Sequence, residues 1–338
     1  MSTKLSVASG SPGSRVVGLG TYRPSRTVDN AEICQRIDSS DEWIRTRSGI
    51  VTRRWATPEE TLTVMATGAA GKAMSEAGIA GDQIGCVLVA TVSHLMQTPS
   101  LAALVTHELG ADGASALDIS AACAGFVYGV GMASDMIRAG SVGGVRPYVL
   151  VIGAERLSDL TDHEDRSTAF LFADGAGAVV VGPAPTPGIS PIVWGADGSG
   201  ANLIRQRADW RDAWSAQDSV WPALVQEGAK VFRWASYAMA PVVREAVARA
   251  GISIDQLDAF VPHQANMRIT DALIRTLGLP DTVAVGRDIA DQGNTSSASI
   301  PLALDRLRET GEVTSGDLAL LIGFGAGLVH AALVVEVP

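Results

Sequence analysis

Cysteine is scarce in this chain. There are three among 338 residues, at 34, 86 and 123, with no CxxC and no paired spacing. That argues against a disulfide framework and against a thiolate zinc site, and it fits a reducing compartment. Basic residues are also outnumbered: 26 Lys and Arg stand against 36 Asp and Glu, for a formal net charge of −10 and a pI near 5.0. General nucleic-acid binding needs clustered Lys and Arg to neutralise phosphates, so such a chain is a poor candidate for it, although an acidic whole can carry a local basic patch. No apolar run reaches the roughly 18–20 residues that span a bilayer. The first fifteen residues are polar and small and lack the apolar core of a signal peptide. The expectation is a cytoplasmic protein, off the membrane, with a flexible segment at 1–14. Aromatics make up only 5%.

What is present is apolar and rich in glycine: 47% hydrophobic residues and 36 Gly, enough for a large core with many tight turns or close backbone approaches. Apolar runs at Val16–Gly20, Cys86–Thr91, Leu117–Ser120, Tyr148–Gly153 and Ala178–Gly182 read as strands. Thr61–Ala77, Leu101–Leu109 and Gly125–Ile137 read as helices. Continuous apolar strands alternating with helices predict an α/β sheet covered on both faces. The order then recurs. Ala77-Gly78-Ile79-Ala80-Gly81-Asp82-Gln83-Ile84 matches Ala250-Gly251-Ile252-Ser253-Ile254-Asp255-Gln256-Leu257, 173 residues later. Glu108-Leu109-Gly110 matches Thr276-Leu277-Gly278, and Val149–Gly153 matches Ala319–Gly323. Three matches in one order imply two similar halves, 15–183 and 184–338. The stretch from Pro183 to Pro222 holds Trp194, Trp210 and Trp214, and reads as a link with a surface excursion over a pocket.

Three segments could carry chemistry. Cys123, in Asp118-Ile119-Ser120-Ala121-Ala122-Cys123-Ala124-Gly125-Phe126, sits where a strand ends and a small-residue turn opens a helix. A thiol there gains thiolate character from the helix dipole; a buried structural cysteine reads equally well. His263, in Val261-Pro262-His263-Gln264-Ala265-Asn266, follows an apolar strand, where α/β sheets bind ligands, or it is a satisfied structural histidine. Asn294, in Gln292-Gly293-Asn294-Thr295-Ser296-Ser297-Ala298-Ser299, is a turn and helix cap or a site residue. Gly323-Phe324-Gly325-Ala326-Gly327 matches a dinucleotide fingerprint only weakly and reads otherwise as a hairpin bend.

Together these segments resemble the β-ketoacyl-ACP synthase III family of the thiolase superfamily, actinobacterial members above all, from about Arg15 to the C-terminus. The resemblance implies a thiolase fold: duplicated βαβαβαββ halves in a five-layered αβαβα arrangement. It implies Cys123 as acyl-carrying nucleophile, His263 and Asn294 as its partners, and an oxyanion hole of the Cys123 and Ala326 backbone N–H groups. Asp41–Ile50 is similar to the family's coenzyme A segment, with Trp43 and Arg166 on the two faces of the adenine, Arg47 at the nucleotide end, and Gly228 and Asn266 along the pantetheine channel. Arg233, Arg268 and Arg275 match the basic patch that receives the acidic acyl carrier protein. Phe324 would wall the malonyl pocket. Thr98 would reach across a homodimer to close the acyl pocket, and its small size implies tolerance of branched or longer acyl groups as well as acetyl.

The implied reaction joins an acyl-CoA starter to malonyl-ACP with loss of carbon dioxide, initiating fatty-acid synthesis, without a metal or redox cofactor. A priming ketosynthase of a polyketide or other secondary-metabolite pathway, or a related acyltransferase, is the alternative. An intact Cys, His and Asn set argues against an acyltransferase, and against a non-catalytic partner subunit. The lack of a Glu beside Cys123 argues against a hydroxymethylglutaryl-CoA synthase. The lack of a second cysteine in Gly323–Gly327 argues against a thiolase.

Overall fold

The computed structural model describes residues 10–215 and 221–338. Two five-stranded sheets dominate it. The first is drawn, in chain order, from Gly13–Tyr22, Ile84–Ala90, Ser115–Ile119, Tyr148–Arg156 and Asp174–Ala184. The second is drawn from Val193–Ala196, Ala259–Pro262, Ala284–Val285, Leu318–Gly325 and Val329–Glu336. Across each sheet the order is the same: first, fifth, fourth, second, third. In both, the second strand runs parallel to the third and fourth, and the fifth runs antiparallel between the fourth and the first. Even the register repeats. Val87 lies opposite Leu150 and Phe260 lies opposite Leu320, so the two offsets seen in the sequence bring matched residues to matched places.

The helix-turn-strand repeat has a plain physical content. Gly78 and Gly251 both take the left-handed conformation (φ 66° and 74°) that ends the preceding helix, a backbone shape that costs glycine little. Five residues on, Gln83 and Gln256 turn back so that their side-chain oxygens accept the backbone N–H of Ala80 and Ser253, at 3.0 and 2.9 Å.

Burial by alternation builds five layers. Along Tyr148–Arg156, Val149 and Val151 face a central core with Phe126 and Val127, while Leu150 and Ile152 face an outer core with Met65 and Ala66. Along Leu318–Gly325, Ala319 and Leu321 share the central core, and Leu320 and Ile322 face an outer core with Met239 and Leu273. The central layer is thus the helix pair Gly125–Arg138 and Ser299–Glu309. Leu62–Ala77 and Leu101–Glu108 cover one outer face; Gly228–Arg249 and Met267–Leu277 cover the other. Strands buried on both faces explain the continuous apolar runs. A fourth cluster joins Val28, Ile44, Ile50 and Trp55 to Leu157 and Phe170–Phe172, and forms an appendage beside the first sheet.

One expectation is corrected and one is refined. Within the segment foreseen as flexible, 1–14, Gly13 and Ser14 pair with Ala184 and Pro183, and Ser14 is buried. Residues 1–9 of it lie outside the described residues. The link Pro183–Pro222 also holds regular structure. Val193–Ala196 adds the edge strand of the second sheet, because Trp194 and its neighbours pair with Val329–Ala332. Residues 216–220 of that link lie outside the described residues. No helix among the described residues is long and apolar enough to cross a membrane.

Phe126 is 1% exposed in the central layer and Val145 is 88% exposed in a turn. Phe126→Ala should therefore lower the unfolding free energy by about 3–5 kcal/mol, and Val145→Ala should change it by less than about 0.5 kcal/mol, as read from equilibrium denaturant unfolding.

Candidate active site

Cys123 lies in the single turn Ala122–Ala124 that leads from Ser115–Ile119 into the helix Gly125–Arg138. The turn is sharp because Ala122 takes a left-handed conformation (φ 43°), which an alanine holds only under strain. Its counterpart in the second half is Ser296 (φ 48°), 174 residues on, so Ser297 stands where Cys123 stands. The second sheet closes on the cysteine turn through glycines. A Cβ on Gly325 would fall 3.0 Å from Cys123 Sγ, and one on Gly323 would fall 2.7 Å from the Ala124 backbone. Cys123 as a residue is partly exposed and lines a cavity. The protein packed around it outweighs the helix N-terminus, and burial pushes the thiol up to about 12. The thiolate character expected from the dipole is therefore not the resting state: the free site holds a thiol.

His263 follows Ala259–Pro262 and is carried beside Leu318–Gly325 by strand pairing, with its N–H donating to the Ile322 carbonyl at 2.7 Å. The ring is 2% exposed. Its Nδ1 lies 2.7 Å from Ser299 Oγ, and Phe324 meets the ring edge-on at 5.4 Å. Ser299 Oγ also accepts the Gln264 N–H at 3.3 Å. Burial drives the imidazole pKa down to about 3, so the ring is neutral.

Asn294 is clamped by its backbone: its N–H donates to the Leu171 carbonyl and its carbonyl accepts from Ala173, both at 2.9 Å. Its Oδ1 accepts the Ser296 N–H at 2.9 Å, which leaves Nδ2 as a free donor. Gly323 and Gly325 touch the cysteine turn, Phe324 touches His263, and Ser296 lines the cavity with Cys123 and Ala326. The three segments that carry Cys123, His263 and Asn294 are thus brought next to one another through these neighbours.

The cavity above Cys123 is about 440 Å³. Leu157, Leu160, Phe172 and Leu224 line it, and the excursion supplies Ile204–Gln206 and Trp210 as a cover. Thr98 is exposed and does not line the cavity of its own chain. A second groove, about 540 Å³, lies among Ser40, Glu42, Trp43, Thr46, Arg47 and Arg268. Its helix, Asp41–Ser48, is fixed by Asn30 Nδ2 donating to Asp41 at 2.7 Å and by Asn266 Nδ2 donating to the Arg47 carbonyl at 2.9 Å. Arg166 stacks on Trp43 directly, with 4.6 Å from its guanidinium carbon to the ring centroid. Gly228 is exposed at the start of its helix; Arg233, Arg268 and Arg275 are exposed on the two adjacent outer helices, with Arg268 over the Phe232 ring. Among the described residues no group of three or more His, Cys, Asp or Glu is arranged to hold a metal ion.

Ser299 and Glu155 escaped the sequence reading. A serine five residues beyond Asn294 reads as helix N-cap chemistry, and only the fold turns it toward His263. Glu155 carried a signal: a lone acid directly after the apolar run Val149–Ala154.

The neutrality of buried His263 has a consequence for stability. Its folded pKa, about 3, lies below the ordinary 6.5, so between those values the unfolded chain binds the extra proton. Its contribution is complete above about pH 6.5 and is lost as pH falls toward 3, by about 1.4 kcal/mol for each pH unit. His263→Gln should flatten the acid side of the stability curve by that slope in denaturant titrations across the window.

Comparison with known proteins agrees with this geometry. Residues 117–198 match the family model described as 3-oxoacyl-[acyl-carrier-protein (ACP)] synthase III, and residues 247–337 match its C-terminal counterpart. The chain is 54% identical to a β-ketoacyl-[acyl-carrier-protein] synthase III of Streptomyces coelicolor, over 99% of this chain and 100% of that one. It is 49% identical to a mycobacterial β-ketoacyl-[acyl-carrier-protein] synthase III of Mycobacterium avium, over 99% of both. Its fold superposes with a TM-score of 0.96 on the priming β-ketosynthase from the R1128 polyketide biosynthetic pathway, at 47% identity over 99% of both chains. With a repeated half-fold, one cysteine-bearing turn and relatives matched nearly end to end, this chain belongs to the β-ketoacyl-[acyl-carrier-protein] synthase III family.

Proposed function

We propose that the chain is a condensing acyltransferase that joins an acyl group from acyl-CoA to malonyl-ACP, releasing carbon dioxide and giving β-ketoacyl-ACP. What supports this reading is that Cys123 lies against Gly323 and Gly325 while neutral His263 packs on Phe324 between them, and that Asn294, with a free Nδ2, holds Ser296 beside Cys123 at the cavity. In the first half-reaction Cys123 sulfur attacks the thioester carbonyl, its proton passes to the leaving CoA sulfur, and an acyl-cysteine remains. The helix N-terminus favours the charge that grows on sulfur during attack, and the backbone N–H groups of Cys123 and Ala326 receive the oxyanion.

In the second half, Ser299 O–H donates to His263 Nδ1, so the ring proton stays on Nε2. That N–H and the Asn294 amide donate to the malonyl thioester oxygen. Carbon dioxide leaves, the enolate is held by these two donors, and its carbon attacks the acyl-cysteine. The Cys123 thiolate is released and regains a proton from solvent. Phe324, buried against His263, offers the malonyl carboxylate an apolar wall, which raises the cost of keeping its charge. This chemistry needs no metal or redox group.

Coenzyme A would lie in the groove of Trp43, Arg47 and Arg268, with Arg166 turned onto the other face of the base and the pantetheine passing Gly228 and Asn266. The exposed Arg233, Arg268 and Arg275 give an acidic chain a local basic face for an acidic carrier protein. A homodimer is supported by the unpaired edge strand Ser115–Ile119 and by exposed Leu95, Met96 and Leu117 near it, since an open apolar edge calls for a cover. In that dimer Thr98 would reach the partner's acyl cavity. Substrates of this kind place the enzyme in the cytoplasm. Fatty-acid initiation is the primary reading; the match to a priming ketosynthase at a TM-score of 0.96 favours polyketide priming as the second.

Cys123→Ala should abolish acyl transfer, seen as absence of the acyl adduct in the protein's mass spectrum. Asn294→Ala and His263→Ala should keep that adduct yet lower release of labelled carbon dioxide from malonyl-ACP by about 10²–10³-fold. Retained condensation in Cys123→Ala would sink the assignment.

The open cavity predicts adducts from branched and longer acyl-CoAs as well as acetyl-CoA. Thr98→Phe should lower kcat/KM for the longer acyl groups by about tenfold or more and leave acetyl transfer little changed, as measured by competition between mixed acyl-CoAs.

A further inference from the structure

Glu155 is fully buried at the end of Tyr148–Arg156 and has no cationic partner among the described residues. Its neighbour Arg156 turns away to Asp159 and to the Glu60 carbonyl. Both carboxyl oxygens are nevertheless engaged. Oε2 accepts from Ser93 Oγ at 2.7 Å, from the Val92 N–H at 3.2 Å and from Thr91 Oγ1 at 3.3 Å. Oε1 lies 3.1 Å from Ser297 Oγ. That hydroxyl has a single proton, and it also lies 2.8 Å from the Ala90 carbonyl oxygen. A carbonyl can only accept, so the Ser297 proton goes to Ala90. The contact with Oε1 then needs a proton that belongs to Glu155.

We propose that Glu155 is held as a neutral carboxylic acid that donates to Ser297, and that it is a positioning residue tying the acyl-cavity wall at Thr91–Ser93 to the turn that carries Asn294. Burial without a cation acts in the same direction and raises its pKa. The placement explains why neutrality matters. Ser297 is the second-half counterpart of Cys123, and Glu155 meets Ser297 where Gly325, 170 residues on, meets Cys123. One turn is filled by a carboxyl; the other is left open for substrate. Between them Ser296 Oγ is buried and faces both the thiol and the carboxyl without full hydrogen-bond geometry to either. An ionised Glu155 would oppose negative charge on Cys123, whereas a neutral acid leaves the developing thiolate and enolate unopposed. Cys123 is a titratable group that faces Glu155. Asp174, opposite Arg156 on the adjoining strand, is occupied by Ser158 and by the Ala56 N–H.

The role at Cys123 rests on the proposed function, but the protonation state does not, so the two can fail separately. Infrared difference spectra of parent minus Glu155→Gln should show a protonated-carboxyl carbonyl band at about pH 7. In Glu155→Gln an amide N–H replaces the acid O–H. Its rate of Cys123 alkylation by iodoacetamide should stay within about twofold of the parent's from about pH 6 to about pH 9. Glu155→Leu, with no donor, should lose about tenfold or more in condensation while its acyl-CoA KM stays close to the parent's; should it fail to fold, the infrared and alkylation results decide alone. Absence of the band, or an alkylation profile moved to lower pH in Glu155→Gln, would mean an ionised Glu155 and overturn the inference.

Discussion

Where Leu318–Gly325 passes the turn Ala122–Ala124, side chains are missing, so two backbones come into contact. Gly323 and Gly325 leave no room for even a methyl group against Ala124 and Cys123. The same contact is made the other way round, where Gly153 of the first half lies against the Ser297 carbonyl. Each half therefore presses the end of its fourth strand onto the helix-opening turn of the other. The strain of Ala122 and Ser296 is held by this mutual packing, and so is the mouth of the site. Any Cβ at these glycines would push the halves apart and move Cys123 relative to His263, which hangs from the adjoining strand.

The chemistry of the site follows from how little charge it tolerates. Burial keeps His263 neutral and Cys123 a thiol. A neutral imidazole with one nitrogen engaged by Ser299 has one donor left to offer, and Asn294, with its oxygen occupied by Ser296, likewise has its N–H groups to offer. In the proposed reaction two neutral donors would suit an enolate oxygen better than cations: they would stabilise charge as it forms without binding the charged malonyl carboxylate beforehand. Phe324 beside His263 belongs to the same logic.

The surface runs opposite to the interior. A chain of net charge −10 exposes Arg233, Arg268 and Arg275 on two adjoining helices, close to the groove of Trp43 and Arg47. Arg268 lines that groove and belongs to the basic set as well, so nucleotide and carrier protein would share it. Arg166 stacks directly on Trp43, so the indole face that the proposed reading gives to the base is covered by one long side chain.

The two-half architecture was legible in the sequence because glycine caps, glutamine turns and doubly buried strands each leave a residue pattern. Cys123, His263 and Asn294 could be picked out as candidates, since each stands at a strand or helix boundary inside a recognisable segment. The edge strand Val193–Ala196 was hidden among prolines and glycines, because four residues paired on one side show no clear period. Glu155, Ser297 and Ser299 were out of reach for a different reason. A local pattern can say that a serine opens a helix or that an acid ends a strand, but not which atom lies opposite. The sequence by itself determined the layers and the candidate nucleophile, since burial and backbone conformation are written in neighbouring residues. The tertiary structure alone decided that Cys123 rests as a thiol, which nitrogen of His263 Ser299 occupies and what surrounds the Glu155 carboxyl, because those depend on contacts across 36 to 142 residues of chain.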